Sequence, residues 1–272
     1  MDRAQAHALL EPDEGKKNMS LKGKIVLITG ASSGIGAATA VAFAHQGARL
    51  LLAARRANKL AEVASAALAA GAEAVHSITL DVRTRLAVQR AIDELPEEWA
   101  KIEILVNNAG LSRGMEKLYT GRIEDWEEMI DTNVKGLLYV TRAVVPGMVV
   151  RNAGHVVTLG STAGEMVYPN AAVYCASKAA AIAINDGLRE DLLGTDVRVT
   201  CVDPGAVETD FSLVRFNGDQ KRAARVYEGI RPLHPEDVAE AILWAASQPA
   251  HVNIARITMT GVDQANSLLF NR

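Results

Sequence analysis

Two residues with complementary acid–base chemistry, Tyr174 and Lys178, stand four positions apart in a stretch of helical period. Side chains at this spacing share one face of a helix. A fixed ammonium beside a phenol favours the phenolate, so the pair could exchange a proton with an oxygen that alternates between carbonyl and alcohol. Because any helix acquires such pairs by chance, the spacing needs neighbours that serve the same reaction.

Ser161 is the first such neighbour. It follows the apolar run 155–159, which we interpret as a β-strand. Ligands of open α/β sheets bind at the carboxyl ends of the strands, where this hydroxyl could donate a hydrogen bond to a substrate carbonyl. The alternative is an ordinary loop serine in the turn 160–164.

A glycine-rich segment at 29–36, TGASSGIG, follows a predicted strand and opens a predicted helix. Its glycines allow a tight turn and let backbone amides approach a pyrophosphate, which would also meet the N-terminus of the helix. Glycines can also simply close a strand-to-helix turn, but here the strand, helix and second strand are all in place. The predicted dinucleotide contacts are Gly30, Ser32, Ser33, Gly34, Ile35 and Gly36.

The end of the second predicted strand indicates which dinucleotide binds. An NAD enzyme of this fold carries an acidic residue there for the ribose hydroxyls, whereas this chain has Arg55 and Arg56. Two guanidiniums and no acid favour a 2′-phosphate, so we predict NADP(H) as the cofactor. The alternative is a pair of solvated arginines near a helix start.

The elements that must position these residues alternate regularly. From Lys24 onward, short apolar runs alternate with Ala-rich helical stretches, the pattern of βαβ units. No Gly/Ser-rich or Pro-rich linker divides them. We predict an α/β fold, a single Rossmann-type doubly wound domain with a seven-stranded parallel sheet at 21–272, after a flexible tail at 1–20. Predicted strands are 25–29, 48–53, 74–80, 104–107, 155–159, 197–202 and 255–259. Predicted helices are 34–46, 58–70, 83–94, 124–151 with a break near Lys135-Gly136, 172–193 and 235–247.

One long irregular stretch, 204–234, interrupts this pattern. A loop of this length inside a compact domain is usually functional. We therefore predict a substrate lid at about 206–234; the alternative is a loosely packed surface excursion.

Composition excludes several function classes. The net charge of −3 comes from 29 basic and 32 acidic residues spread along the chain, so neither nucleic acid nor a membrane is expected as partner. The apolar run at 8–10 is too short for an export signal. Cys175 and Cys201 lie far apart without CxxC spacing, which favours a reducing, cytoplasmic location. The histidines lack acidic partners at ligand spacing, so no metal is predicted.

Taken together, the motifs resemble those of the short-chain dehydrogenase/reductase family over roughly residues 22–265. The glycine segment resembles the family's TGxxxGxG signature, and the other matches follow in the family's order. The resemblance implies a catalytic set with these roles: Tyr174 as general acid/base, Lys178 lowering its pKa and binding ribose, Ser161 orienting the carbonyl, and Asn133 relaying protons.

The same resemblance implies further cofactor contacts. Asp81 and Val82 match the family's adenine contact, although Asp81 could equally cap the next helix. The remaining implied contacts are Asn108, Ala109, Gly110, Pro204, Gly205, Val207 and Thr209, in addition to Tyr174 and Lys178.

A closer resemblance is carried by segments 131–137, 141–143, 146–148, 160–164, 214–216 and 249–254. These segments resemble the NADP-dependent 3-hydroxy acid dehydrogenases, which act on serine or allo-threonine; sulfoacetaldehyde reductases are similar. This implies a small anionic substrate held by a cation near Ser161 and Tyr174. Arg215 in the predicted lid is the first candidate and Arg113 the second, each alternatively a surface arginine. Glu165 departs from the expectation, because it introduces an acid where an anionic substrate could enter.

Three other interpretations stay open at this point. The chain could be a 3-oxoacyl carrier-protein reductase or a general carbonyl reductase, which share the catalytic motifs. It could also be a non-catalytic NADP-binding sensor, against which the complete catalytic set argues. The resemblance further implies a homotetramer or homodimer.

Overall fold

A computed structural model describes residues 19–272 of the chain. The predicted tail at 1–20 therefore lies, except for its last two residues, outside the described residues. Met19 joins the domain through its backbone N–H, which donates to the Ser247 carbonyl at 2.7 Å.

The described residues contain a seven-stranded sheet in the order β3-β2-β1-β4-β5-β6-β7, with every neighbouring pair parallel. This confirms the predicted α/β fold with a single Rossmann-type sheet, and the strand bounds agree with prediction to within two residues. The strands are β1 (Ile25–Thr29), β2 (Arg49–Ala54), β3 (Ala74–Thr79), β4 (Ile104–Asn107), β5 (Gly154–Leu159), β6 (Val197–Pro204) and β7 (Arg256–Met259).

Helices cover both faces of this sheet. They are α1 (Gly34–Ala44), α2 (Ala57–Ala69), α3 (Arg85–Asp93), α4 (Ile123–Ile130), α5 (Leu137–Val150), α6 (Thr162–Glu165), α7 (Ala172–Asp191), α8 (Phe211–Arg215), α9 (Gln220–Arg225) and α10 (Pro235–Ser247). A short 3₁₀ turn, Glu97–Trp99, precedes β4. Each predicted helix is present, and α10 has the predicted bounds.

Alternate residues of the central strand β1 pack against different helices. Val26 and Ile28 share one core with Phe43 of α1, whereas Leu27 shares the opposite core with Met148 of α5. Strands buried on both faces need apolar side chains at every position. The faces are therefore closed to ligands, and the carboxyl edge is left open where the strand order reverses between β1 and β4.

The predicted break near Lys135-Gly136 is instead a π-helical turn, Asp131–Gly136, which joins α4 to α5 without interruption. At Gly136 an added Cβ would lie 2.7 Å from Cγ2 of Val82, so the turn packs closely on the loop after β3. Single π-helical turns are rare and occur frequently at functional sites.

The predicted lid at 206–234 is not irregular throughout, because it contains the short helices α8 and α9. Its two ends are joined by backbone hydrogen bonds, from Leu233 N to Ala206 O at 2.9 Å and from Glu208 N to Leu233 O at 2.8 Å. Tyr227 adds a bond from its hydroxyl to the Val207 carbonyl at 2.9 Å. The segment is thus a closed loop fixed at its base.

Candidate active site

A cavity of about 420 Å³ opens at the carboxyl edge of the sheet. All the predicted cofactor residues except Gly36 line it, together with Ser161. Those residues are Gly30, Ser32, Ser33, Gly34, Ile35, Arg55, Arg56, Asp81, Val82, Asn108, Ala109, Gly110, Tyr174, Lys178, Pro204, Gly205, Val207 and Thr209. One cavity therefore joins the glycine segment to the Tyr174 helix.

The glycine segment is pressed against the loop after β4. Gly30 has a positive φ of 64°, and an added Cβ would lie 2.9 Å from the Ala109 Cα. At Gly36 an added Cβ would lie 2.5 Å from the Asn108 side-chain nitrogen. That amide donates to the carbonyls of Thr29 at 2.8 Å and Gly30 at 3.2 Å. Gly36 thus packs beneath the loop, and the cradle in front of it fits a pyrophosphate at the N-terminus of α1.

Arg56 and Arg55 form a cationic rim beside this cradle. The Arg56 guanidinium donates to the hydroxyls of Ser32, at 3.1 Å, and Ser33, at 2.6 Å. Arg55 lies 3.5 Å from a carboxylate oxygen of Glu128 on α4. Because the rim joins two guanidiniums to two hydroxyls, its donors fit a phosphate on the ribose.

Asp81 lines the same cavity and is held by Arg83. Its carboxylate accepts from the Arg83 backbone at 3.0 Å and from the guanidinium at 2.6 Å. Burial opposes ionisation, but these bonds hold the pKa of Asp81 below its ordinary value. Helix α3 begins after Thr84, so the alternative that Asp81 caps this helix is wrong.

Tyr174 and Lys178 lie on α7, both buried beneath the cavity. The Lys178 ammonium donates to the Leu159 carbonyl at 2.8 Å. Burial lowers the pKa of Lys178 to about 8. Burial raises the pKa of the Tyr174 phenol, and the Arg215 guanidinium and the Ser161 hydroxyl act in the opposite direction. Two neighbouring groups therefore favour the ionised phenol, whereas burial, Tyr168 and Cys175 oppose it.

Ser161 lies directly after β5, as the sequence indicates. Its hydroxyl accepts from the Ala163 N–H at 3.1 Å, which caps the short helix α6. Its own backbone N–H donates to the carboxylate of Asp203 at 3.0 Å. Two fixed partners thus orient the residue whose hydroxyl borders Tyr174.

Asn133 lies in the π-helical turn and is 3% exposed. Its side chain accepts from Leu111 N at 2.9 Å, and donates to Leu111 O at 2.8 Å and to the Ser177 hydroxyl at 2.9 Å. A second cavity of about 10 Å³, lined by Asn133, Lys178 and Thr29, lies behind the main one. Its volume matches about one water molecule.

Arg215, at the end of α8, is 8% exposed and packs on the ring of Tyr174. Its Cζ lies 5.2 Å from the centre of the Tyr174 ring and 5.1 Å from that of Phe211. One guanidinium nitrogen donates to the Tyr168 hydroxyl at 3.0 Å, whereas Nε has no partner. Within residues 19–272, no carboxylate lies within 4 Å of this guanidinium. A buried charge of this kind needs a counter-ion.

The other charged candidates are already paired. Arg113 donates to Glu128 at 2.7 Å and to the Val214 carbonyl at 2.7 Å, so two of its three guanidinium nitrogens have partners, although the residue lines the cavity. Glu165 faces β7, where Arg256 lies 3.4 Å from its carboxylate. The acid after Ser161 is therefore ion-paired.

Four residues near the site were not predicted: Tyr168, Phe211, Asp203 and Glu128. Asp203 is fully buried beside Ser161, and burial raises its pKa. Its place directly before Pro204-Gly205 was a signal that could have identified it. The other three depend on contacts between distant segments, for which the sequence carries no local signal.

The described part of the chain holds no cluster of three or more His, Cys, Asp or Glu side chains that could bind a metal ion. Cys175 and Cys201 are both free and buried. Among the helices of residues 19–272, none has the length and hydropathy needed to cross a membrane.

Comparison with known proteins identifies the family. The family model described as "short chain dehydrogenase" matches residues 24–218. The chain belongs to the short-chain dehydrogenase family. This confirms the family, the fold and the class of enzyme predicted from the sequence.

Two curated relatives of this short-chain dehydrogenase are informative. An NADP-dependent 3-hydroxy acid dehydrogenase of Shigella flexneri is 47% identical over 242 residues, covering 89% of this chain and 96% of the relative. Sulfoacetaldehyde reductase 2 of Chromohalobacter salexigens is 48% identical, covering 89% and 95%.

A solved structure is similar throughout. The closed form of a serine dehydrogenase complexed with NADP⁺ superposes with a TM-score of 0.85 at 46% identity, covering 91% of this chain and 99% of that one.

Proposed function

We propose that this short-chain dehydrogenase interconverts a small 3-hydroxy acid and its anionic semialdehyde with NADP(H). Serine, 3-hydroxypropionate with malonic semialdehyde, and sulfoacetaldehyde are the substrate types considered. The observation that carries the proposal is Arg215, a buried guanidinium without a carboxylate partner in residues 19–272, packed on the ring of Tyr174. Arg215 is not among the residues that line the cavity of about 420 Å³, but Tyr174 and Phe211 beside it are. A carboxylate or sulfonate that binds next to these rings would neutralise Arg215 and hold the neighbouring carbonyl at the phenol.

The prediction of NADP(H) is confirmed by the names of the relatives and of the solved neighbour. The residues that line the cavity suit the groups of NADP(H). The glycine cradle would hold the pyrophosphate, and Arg55 and Arg56 would hold the 2′-phosphate. Bound NADP(H) supplies or accepts the hydride. The other predicted cofactor residues line the same cavity.

The proton belongs to Tyr174. In reduction, its phenol donates a proton to the carbonyl oxygen, while the Ser161 hydroxyl donates a hydrogen bond to the same atom. The carbonyl thus gains a hydride at carbon and a proton at oxygen. In oxidation the phenolate takes that proton back. Burial raises the phenol pKa above ~10, so reaching ~7 needs more than the roughly 4 kcal/mol that separates these two values. We assign this lowering to the Lys178 ammonium, to Arg215 and, when the cofactor is oxidised, to the positive nicotinamide ring.

Resupply of the proton is assigned to Lys178 and Asn133. Both line the cavity of about 10 Å³, so a water molecule held there could join the ammonium to the outside. With a pKa of about 8, Lys178 can give up a proton near neutral pH. Asn133 holds the π-helical turn against Leu111, which fixes the wall of this cavity.

The test is a screen of NADPH consumption with malonic semialdehyde, sulfoacetaldehyde, a β-keto ester and a 3-oxoacyl thioester, and of NADP⁺ reduction with L-serine. We expect the highest kcat/KM for the small anions. Arg215→Leu should raise KM for these anions at least about tenfold, roughly 1.4 kcal/mol, more than for a neutral aldehyde of equal size.

Arg225→Leu, an exposed arginine of the same lid, is the matched control. Preference for the thioester would favour the carrier-protein reductase instead, and an equal effect of Arg215→Leu on anions and neutral aldehydes would remove Arg215 from the substrate site. NADPH binding without turnover of any carbonyl would favour the sensor.

Assembly and location stay proposals as well. We propose a homodimer or homotetramer, supported by membership of the family, and light scattering in solution tests it. We also propose the cytoplasm, supported by the free cysteines. Fractionation of the native cells tests it.

A further inference from the structure

The carboxylate of Glu128, on α4, forms ion pairs with arginines from three different loops. Its carboxylate lies 3.5 Å from Arg55 after β2, 3.4 Å from Arg83 after β3 and 2.7 Å from Arg113 after β4. The hydrogen bond from Arg113 is the largest cause that holds the pKa of Glu128 below its ordinary value. The side chain is therefore an anion at neutral pH, shared by three cations.

Two of these arginines lead to different parts of the active site. Arg55 lines the cavity at the rim assigned to the 2′-phosphate. Arg113 donates to the Val214 carbonyl at 2.7 Å and to the Asn217 side chain at 3.2 Å, which ties it to the lid. Next to it, the Gly114 N–H donates to the Arg215 carbonyl at 2.9 Å. Glu128 thus connects the cofactor rim to the segment that carries the proposed substrate arginine.

The carboxylate divides its two oxygens between these partners. Oε1 is nearest to both Arg55 and Arg83, whereas Oε2 accepts from Arg113. Guanidiniums pair more strongly with a phosphate dianion than with a carboxylate that they share. When the Arg55 guanidinium pairs with a phosphate instead, Glu128 keeps only Arg83 and Arg113 as cationic partners. The negative charge of its carboxylate is then shared by two guanidiniums rather than three.

We propose that Glu128 is a positioning residue that couples occupation of the 2′-phosphate site to anchoring of the lid through Arg113. When Arg55 leaves Glu128, the carboxylate pairs more strongly with Arg113. Arg113 donates to the Val214 carbonyl of α8, so the backbone of α8 is held more firmly as well. The inference rests on the NADP(H) part of the proposed function and is independent of the substrate.

The experiment is hydrogen exchange of the lid amides at 211–226 in the full chain, with adenosine 2′,5′-bisphosphate as the probe and 5′-AMP as its matched control. The probe carries the 2′-phosphate but has no nicotinamide that could touch the lid. In wild type, the probe should slow exchange at least about fivefold relative to 5′-AMP, as expected for a typical coupling between sites. Calorimetry sets saturating concentrations for each variant.

Glu128→Gln should abolish this protection while the probe still binds. Glu127→Gln, an exposed neighbour on the same helix, should behave as wild type. Arg113→Gln breaks the lid end of the connection and should also lose the protection. Because the coupling is reciprocal, its affinity for the probe should be weaker than that of wild type, since Glu128 then holds Arg55 more firmly. This second variant keeps the proposal testable if Glu128→Gln fails to fold.

Equal protection in wild type and in both broken variants would overturn the proposal. Binding of the probe to wild type without lid protection would also overturn it, and would leave the cofactor assignment standing. Failure of the probe to bind wild type would overturn both. Because no substrate is present, none of these results depends on the 3-hydroxy acid assignment.

Discussion

Removing the Arg215 charge should make the Tyr174 phenol a weaker acid. The Arg215 Cζ lies 5.2 Å from the centre of the phenol ring, and both groups are buried. Two unit charges at this distance interact by about 3 kcal/mol at an effective dielectric of about 20, which corresponds to about 2 pKa units. Arg215→Leu should therefore raise the apparent pKa of Tyr174 by about one to two units, since the ring spreads the phenolate charge.

The assay is oxidation of a neutral alcohol at saturating NADP⁺, with kcat/KM measured against pH. A neutral substrate isolates the effect on the phenol from any loss of anion binding. Oxidation requires the phenolate, so the rate rises as pH passes the Tyr174 pKa, and the variant should need a higher pH to reach half of its plateau.

Two variants control this measurement. Arg225→Leu removes an exposed charge from the same lid and should leave the profile unchanged. Tyr168→Phe removes the hydroxyl bonded to Arg215 but keeps the guanidinium. Because Tyr168 raises the pKa of Tyr174, this profile should shift to lower pH, opposite to the shift in Arg215→Leu. An unchanged midpoint in Arg215→Leu, or a shift to lower pH, would refute the electrostatic reasoning.

Four further outcomes follow from the site. Wild type should prefer NADPH to NADH by at least about tenfold, ~1.4 kcal/mol, and replacing Arg55 and Arg56 by alanine should remove that preference in paired Kd measurements. Tyr174→Phe should nearly abolish turnover while NADPH still binds; retained activity would contradict its role as the acid. Gly36→Ala should weaken NADPH binding, because its Cβ would lie 2.6 Å from the Gly30 carbonyl oxygen; unchanged affinity and melting temperature would contradict this. The pKa of Lys178 falls from 10.5 to about 8 on folding. The unfolded chain therefore holds more protons between these two pH values, and the stability of the fold rises with pH there. Below pH 8 the buried ammonium destabilises the fold by about 3 kcal/mol, so Lys178→Met should melt at a higher temperature than wild type at pH 7 but not at pH 11.

The sequence predicts those parts of the molecule that depend on local patterns. The seven strands are apolar runs between turns, and Pro235 with two acids after it marks the start of α10, so both were found with nearly correct bounds. The helix break near Gly136 was located but its form was not, because a π-helical turn has no composition of its own.

Contacts between distant segments could not be predicted in this way. The sequence shows Arg55 and Arg56 side by side, yet only the fold gives Arg56 the hydroxyls of the glycine segment and Arg55 the carboxylate of Glu128. Likewise the sequence offers Arg215 as the first and Arg113 as the second candidate for an anion site, but it shows no contact of either residue. The position of Glu128 distinguishes them, since it neutralises Arg113 and leaves Arg215 unpaired.

The positions of the side chains in the π-helical turn Asp131–Gly136 depend on the number of residues that the turn contains. Such a turn holds one residue more than the α-helix would need. Deleting Lys135 would restore regular α-helical spacing within the turn and would remove the local widening that the extra residue produces. Asn133, which lies in the turn, would then leave its partners although it had not itself been changed. The number of residues in this turn is therefore as specific a requirement as their types. Substitutions keep that number constant, so only a deletion or an insertion tests it.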